Sequence, residues 1–260
     1  MKVPVALTIA GSDSGGGAGI QADLKTFAAF GVHGTSAITA ITAQNTLTVS
    51  AIHEIPIDVI RAQIDAVVED IGVQGAKTGM LASAEIIEAV SAAIREHGIR
   101  KLVVDPVMVA KGGARLLHSD AIAALSRYLL PLAAVVTPNI PEAEVLLGRS
   151  LETLDDRRQA ARELVALGPR VAVIKGGHAA EAPAIDVYWD GVEMVELTAP
   201  RIATKNTHGS GCAFSAAIAA GLARGQDPLP AVRAAKTFIS AAIEHSLELG
   251  GGHGPVNPSF

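Results

Sequence analysis

Short runs of apolar and β-branched residues recur along the chain, and longer segments with apolar residues at helical spacing separate them. Strands buried on both faces of a parallel sheet have such runs. The runs cover residues 3–10, 36–42, 75–79, 101–105, 133–137 and 171–175. The helical spacing occupies residues 19–30, 57–71, 83–97, 118–129, 155–167 and 212–223. This alternation predicts an α/β fold with a doubly wound, mostly parallel central sheet.

The last third of the chain departs from this alternation. Residues 184–188 and 193–197 flank Asp190-Gly191, which predicts a β-hairpin at the end of the sheet, followed by two helices. We find no repeat and no linker, so the chain is expected to form a single domain over residues 1–260. The glycine run 250–252 predicts a mobile tail.

Composition narrows the possible partners. The 260 residues are 49% hydrophobic, enough for one large core, and 21 Lys+Arg against 26 Asp+Glu leave a net charge of -5. That charge disfavours nucleic acid and anionic membranes, and no apolar stretch reaches the ~20 residues of a membrane span. Cys212 is the only cysteine, which excludes an intrachain disulfide and fits a reducing cytoplasm.

The first glycine-rich segment, residues 11–19, follows the first apolar run. Ligands of α/β sheets bind at the carboxyl ends of the strands, where this loop is expected. The loop meets a loose dinucleotide pattern, but the second strand ends in Thr-Ala-Gln-Asn without the acid that a ribose requires, and no Walker A sequence occurs. A tight turn that needs glycine remains an alternative. Asp13 and Asp23 nearby favour a substrate loop.

A second loop, Asn206 to Cys212, precedes a helix rich in small residues. Free N–H groups at a helix start form a cradle for an anion, and such a cradle stabilises charge on a transferred phosphoryl group. The helix dipole is expected to lower the pKa of the Cys212 thiol, which makes it a candidate base. Two alternatives stay open: a small buried side chain, or a nucleophile paired with His208.

Polar residues end the later strands. Asp105 ends one strand, and Asn139 and Glu142 follow the next, so these oxygen ligands suit Mg²⁺. Charge complementarity at a helix start is the alternative for Glu142. Lys175 ends a further strand, where it could contact an ATP phosphate, whereas Lys236 lies on the last helix, where a solvated face is the ordinary expectation.

Four segments carry a resemblance to a known family. Residues 11–23, 76–81, 105–108 and 209–212 resemble hydroxymethylpyrimidine/phosphomethylpyrimidine kinases of the ribokinase-like superfamily, and the motifs keep their order nearly from end to end. The resemblance implies a ribokinase-like three-layer α/β/α sandwich with no separate lid domain, usually a homodimer. It also implies ATP, Mg²⁺ and two successive phosphorylations in thiamine biosynthesis.

The resemblance also implies site residues. The pyrimidine would contact Gln44, Asp23, Gly11, Met80 and Val107. Cys212 would act as base within the Gly209, Ser210 and Gly211 loop, although Ser210 stands where threonine is more usual. The nucleotide would contact Lys175, Thr207, Lys236 and Asn139, and the metal would contact Asp105 and Glu142. Rival functions are a pyridoxal kinase and a nonenzymatic ligand-binding protein.

Overall fold

The computed structural model describes residues 3–109, 113, 116, 120–178 and 183–259. Its centre is an eight-stranded sheet in the order β10-β9-β8-β7-β6-β5-β1-β2. The six strands from β2 to β8 in this order pair in parallel. The strand β9 pairs antiparallel with both of its neighbours, β8 and β10. These strands are β1 (Val5–Ala10), β2 (His33–Ile38), β5 (Gly75–Thr78), β6 (Leu102–Val104), β7 (Val135–Val136), β8 (Val171–Ile174), β9 (Ala184–Trp189) and β10 (Met194–Ala199).

Helices cover both faces of this sheet. Residues of α2, α3, α5 and α6 contribute to the apolar cluster on one face, and residues of α1, α7 and α8 contribute to the cluster on the other. The helices are α1 (Gly19–Ala29), α2 (Ile57–Asp70), α3 (Ala84–Glu96), α4 (Ala121–Ala124), α5 (Ile140–Leu147), α6 (Leu154–Ala166), α7 (Ser210–Ala223) and α8 (Pro228–Glu244). The three-layer sandwich expected from the sequence is therefore confirmed.

Burial explains why the strands could be predicted. Every residue of β1, β5, β6 and β8 is buried, because helices cover the central strands on both sides. The predicted hairpin is present as β9 and β10. Of the predicted helix 118–129, residues 118 and 119 lie outside the described residues. The remainder forms α4 and a π-helical turn, Leu125–Leu129.

The predicted strand 36–42 is confirmed only as far as residue 38, because the chain leaves the main sheet at Thr39 and a separate strand begins at Ala40. The Thr39 N–H donates to the carbonyl of Ala10, and the Thr39 hydroxyl donates to the carbonyl of Met80 at 2.7 Å. Beyond this point β3 (Ala40–Gln44) pairs antiparallel with β4 (Val49–Glu54) in a separate two-stranded sheet. The sequence did not reveal β4, since its side chains are largely exposed.

The prediction of a mobile tail is wrong. The Gly252 N–H donates to Thr46 Oγ1, and the His253 N–H donates to the carbonyl of Thr46. The Val256 N–H donates to the carbonyl of His208, and the Val256 side chain is buried. Backbone hydrogen bonds therefore fix the tail to the β3–β4 turn and to the loop before α7. No helix among the described residues is long and apolar enough to cross a membrane.

Candidate active site

A cavity of about 810 Å³ opens at the carboxyl ends of the parallel strands, the edge at which α/β sheets bind ligands. Both glycine loops line it, together with residues at the ends of β5, β6 and β8. All but one of the residues predicted for the site line this cavity. They are Gly11, Gln44, Met80, Asp105, Val107, Asn139, Glu142, Lys175, Thr207, Gly209, Ser210, Gly211, Cys212 and Lys236.

Asp23 is the exception, and its expected contact with a substrate ring needs correction. Its carboxylate is completely buried, 2.9 Å from Lys77 Nζ, and it accepts a hydrogen bond from Thr8 Oγ1 at 2.6 Å. Burial raises the pKa of Asp23, although the Lys77 ammonium opposes the rise. Lys77 itself lines the cavity. Asp23 therefore supports a lysine of the cavity floor, a pairing that the sequence analysis did not foresee.

Asp13 organises the first glycine loop. Its carboxylate accepts hydrogen bonds from the backbone N–H groups of Gly15, Gly17 and Ala18 at 2.8 to 3.0 Å, and it lies 2.8 Å from His208 Nε2. Burial alone would raise the pKa of Asp13, but these hydrogen bonds outweigh burial and lower it. The loop is thus a tight turn around a charged carboxylate and also a wall of the cavity.

The second loop packs directly on the first. Gly209 caps α7 with a φ of 77°, and a Cβ at this position would lie 1.7 Å from the carbonyl oxygen of Gly17. Only glycine fits such a contact. Within the described part of the chain, the N–H groups of Gly211 and Cys212 have no acceptor. The start of α7 therefore presents two free amides at the cavity, as the predicted anion cradle requires.

The expected low pKa of Cys212 is wrong. Cys212 is partly exposed and lines the cavity, but withdrawal from water raises the pKa of its thiol to about 11. Lys77 opposes this rise, and the negative charges of Asp23 and Asp105 add to it. Desolvation therefore outweighs the attraction of Lys77, and the resting side chain is a thiol. His208 Nε2 contacts Asp13, so the structure does not show the alternative pairing of His208 with Cys212.

The carboxylates beside the cradle form one charged group with Lys175. Lys175 Nζ lies 2.8 Å from Asp105 Oδ1 and 3.9 Å from Glu142 Oε2. Burial and the like charge of Asp105 raise the pKa of Glu142 to about 7, although Lys175 opposes the rise. No group of three or more metal-binding His, Cys, Asp or Glu side chains occurs among the described residues. A metal here would therefore depend on ligands from phosphate and water as well.

Asn139 and Glu142 also have a structural role. Asn139 Oδ1 accepts the Glu142 N–H at 2.8 Å, and Glu142 Oε2 accepts the Asn139 N–H at 2.7 Å. This reciprocal pair is a capping box at the start of α5. The helix-start alternative for Glu142 is therefore realised, and the same carboxylate also lines the cavity.

Lys236 does not lie on a solvated face. Its Nζ is 2.7 Å from Asp186 Oδ2, and Asp186 Oδ1 accepts the Gly176 N–H at 2.8 Å. Both Lys236 and Asp186 line the cavity. Sequence reasoning missed Asp186. The available signal was a single charged residue within the otherwise uncharged Ala184–Trp189 strand.

The α/β sandwich, the amide cradle and the adjoining lysines and carboxylates together define a small-molecule kinase. A family model described as phosphomethylpyrimidine kinase matches residues 13–257. The chain belongs to this family.

Two relatives and one solved structure illustrate the similarity. The chain is 50% identical to a hydroxymethylpyrimidine/phosphomethylpyrimidine kinase of Bacillus subtilis, over 99% of this chain and 95% of that protein. It is 52% identical to the enzyme of the same name from Haemophilus influenzae, over 98% and 97%. Its fold matches an ADP complex of Bacillus subtilis pyridoxal kinase with a TM-score of 0.93 and 44% identity, over 99% and 98%.

Proposed function

We propose that the chain transfers a phosphoryl group from ATP to the hydroxymethyl group of 4-amino-5-hydroxymethyl-2-methylpyrimidine. It then phosphorylates the resulting monophosphate to the pyrophosphate, and both reactions serve thiamine biosynthesis. The observation that carries this proposal is one cavity that holds a ring-binding end and an anion cradle. Family membership and relatives named for this activity support the choice of substrate.

The ring-binding end consists of Gln44, Met80, Val107 and Gly11. Gln44 offers an amide, which can donate and accept at the polar edge of an aminopyrimidine. Met80 is 8% exposed as a whole residue, and its side chain supplies an apolar surface for the ring. A Cβ at Gly11 would lie 3.1 Å from Met80 Sδ, so glycine keeps this part of the cavity open.

The nucleotide end consists of Lys175, Lys236, Thr207 and Asn139. The two lysines have carboxylate partners, Asp105 and Asp186, which hold their ammonium groups at the cavity. The comparison structure with bound ADP supports a nucleotide in this fold.

Mg²⁺ would be held by Asp105 and Glu142, and the donor set fits it. Both groups are hard oxygen ligands, and a cation beside Glu142 would favour the ionised form that burial, with the like charge of Asp105, disfavours. When bound, the metal supplies positive charge to the phosphates. A homodimer and a cytoplasmic location remain predictions from the sequence.

The residues of the chain divide the chemistry between them. The free amides of Gly211 and Cys212 and the Lys175 ammonium bind the oxygens of the transferred phosphoryl group, whose charge they stabilise. Cys212 accepts the proton of the substrate hydroxyl. Because the resting side chain is a thiol, Cys212 must first release its own proton to solvent, and the thiolate then takes the proton of the hydroxyl. The two glycine loops, which pack on each other, position the hydroxyl of the alcohol next to the transferred phosphoryl group.

Pyridoxal is the second candidate substrate, because a pyridoxal kinase shares the fold at 44% identity. Both substrates present a hydroxymethyl group beside polar ring substituents. ADP release is therefore measured side by side with the pyrimidine alcohol, with pyridoxal and without an acceptor. We expect the highest kcat/KM with the pyrimidine alcohol. A higher kcat/KM with pyridoxal would reassign the substrate. If neither alcohol raises ADP release above the rate without an acceptor, the nonenzymatic alternative is favoured.

A further inference from the structure

The side-chain amide of Gln44 lies between two polar neighbours. As assigned, Gln44 Oε1 lies 3.2 Å from Thr42 Oγ1 and Gln44 Nε2 lies 3.5 Å from His208 Nε2; the hydrogen-bond partners of both neighbours favour the reverse assignment of the two amide atoms. Amide oxygen and nitrogen have nearly the same shape, so the orientation of the group follows from the donors and acceptors around it. Both neighbours restrict that choice.

Thr42 can only accept a hydrogen bond from Gln44. The Thr42 hydroxyl carries a single proton, and its oxygen lies 2.7 Å from the carbonyl oxygen of Ser12. A carbonyl accepts but does not donate, so the hydroxyl proton lies between these two oxygens. The oxygen of Thr42 therefore turns a lone pair toward Gln44. An amide nitrogen facing Thr42 makes a hydrogen bond, whereas an amide oxygen would place two acceptors in contact.

His208 can only donate at the opposite end. The Asp13 carboxylate already accepts three backbone N–H groups and lies 2.8 Å from His208 Nε2. Because an ionised carboxylate only accepts, Nε2 carries a proton. An amide oxygen facing His208 is therefore compatible with this ring, whereas an amide nitrogen would place two donors in contact. The two ends of Gln44 require the same orientation.

The His208 ring is held firmly enough to impose this orientation. Its main chain bonds the tail on both sides, since the His208 N–H donates to Gly254 and the Val256 N–H donates to His208. Gly17 packs against the ring so closely that a Cβ there would lie 2.5 Å from His208 Cδ2. Only 8% of His208 is exposed. The tail and both glycine loops thus fix one imidazole.

We propose that His208 is a specificity-determining positioning residue. Its Nε2–H, shared between Asp13 and the Gln44 carbonyl oxygen, holds the Gln44 amide nitrogen toward Thr42. The positions at which the Gln44 amide offers a donor and an acceptor to the substrate are thereby fixed before the substrate binds. An amide held in this way pairs with a ring edge that carries an amino group beside a ring nitrogen, as glutamine pairs with adenine. The inference rests on the proposed function and assigns the selectivity of that site.

Kinetics of two His208 variants test the role. His208→Leu removes the donor, and His208→Gln keeps an N–H that reaches Asp13. We expect His208→Leu to raise KM for the pyrimidine alcohol about 5- to 100-fold, the equivalent of one or two lost directional hydrogen bonds. KM for ATP should stay unchanged, and His208→Gln should restore most of the loss. His33→Leu, at an exposed position of β2, is the matched control. Equal increases in both KM values, or identical Leu and Gln variants, would overturn the proposal.

An activity-independent readout comes from ¹⁵N NMR of the histidine rings in the ligand-free protein. The His208 signals are those that disappear in His208→Gln. We expect a proton on Nε2 of His208, and a ring protonated on Nδ1 alone would overturn the proposal. If the wild-type protein does not phosphorylate the pyrimidine alcohol, the proposed function fails, while this spectrum still reports whether Nε2 of His208 carries the proton that faces Asp13 and Gln44.

Discussion

Lys77 and Asp23 form a completely buried ion pair beneath the cavity, with Lys77 Nζ 2.9 Å from Asp23 Oδ2. The strand β5 supplies the lysine and the helix α1 supplies the carboxylate. Thr8 of β1 donates a third hydrogen bond to the same carboxylate. The pair joins the first helix to the sheet and places an ammonium group in the cavity floor.

Breaking this pair should destabilise the fold strongly. Asp23→Ala leaves a buried ammonium without a partner, so we expect a loss of about 3 to 5 kcal/mol in the free energy of unfolding, measured by urea denaturation. The double variant Asp23→Leu with Lys77→Met should recover most of it, because no unpaired charge remains. Asp155→Ala removes an exposed partner of Arg158 and serves as the control. A change as small as that of the control would contradict the account.

Gln44→Ala should weaken binding of the pyrimidine alcohol much more than binding of ATP. The substitution removes the partner of the polar ring edge, which costs about 1 to 3 kcal/mol. Isothermal titration with each ligand separately measures the difference. Equal weakening of both ligands would show that Gln44 maintains the cavity in general.

Glu142→Gln should raise the magnesium concentration required for half-maximal turnover by at least about 10- to 100-fold, the range for losing an outer-shell partner of a metal, because Glu142 is itself a proposed ligand. The amide keeps the shape and one acceptor for the Asn139 N–H but removes the charge. Glu144→Gln on the same helix is the control, since Glu144 bonds the Leu151 N–H and does not belong to the cavity lining. An unchanged magnesium dependence would leave Glu142 with its capping role alone.

Much of the fold was predictable because the central strands are buried on both faces, and burial leaves an apolar run in the sequence. The turn at Thr39 was not, since its hydrogen-bond partners, Ala10 and Met80, are distant along the chain. The order of the tail at residues 250–257 likewise depends on contacts with Thr46 and His208.

The sequence predicts which residues line the site where their place at the end of a strand determines it. Loops at the carboxyl ends of parallel strands must meet, and the predicted residues do line one cavity apart from Asp23. Side-chain pairing could not be predicted in this way. Asp23 forms an ion pair with Lys77, and Lys236 forms an ion pair with Asp186. The protonation of Cys212 depends on burial, which no local sequence pattern reports.

The raised pKa of Cys212 predicts slow alkylation at neutral pH. With a pKa of about 11, on the order of one thiol in ten thousand is ionised at pH 7. Because only the thiolate reacts, the iodoacetamide rate should rise about tenfold per pH unit between pH 7 and 10. Cys212 is the only cysteine, so mass spectrometry of the intact protein follows this residue alone. A plateau in the rate near pH 8.5 would contradict the raised pKa, provided that circular dichroism shows a folded protein throughout.

The central claim is that Cys212 serves as the base in a kinase that acts twice on one pyrimidine. The hydroxyl of the first acceptor has a pKa comparable to that of water, about 15.7, and needs deprotonation. The phosphate of the second acceptor loses its last proton near pH ~6 and is already largely anionic at neutral pH. Cys212 should therefore matter much more in the first step.

Single-turnover rates of Cys212→Ala with the alcohol and with its monophosphate test this claim most directly. We predict that the wild-type protein phosphorylates both. The variant should lose about 10²- to 10⁴-fold on the alcohol, the range typical of a general base, and much less on the monophosphate. The wild-type alcohol rate should also rise with pH above 7, as the thiol loses its proton. Equal losses in both steps would contradict the base assignment, and no phosphorylation of either acceptor by the wild-type protein would contradict the function itself.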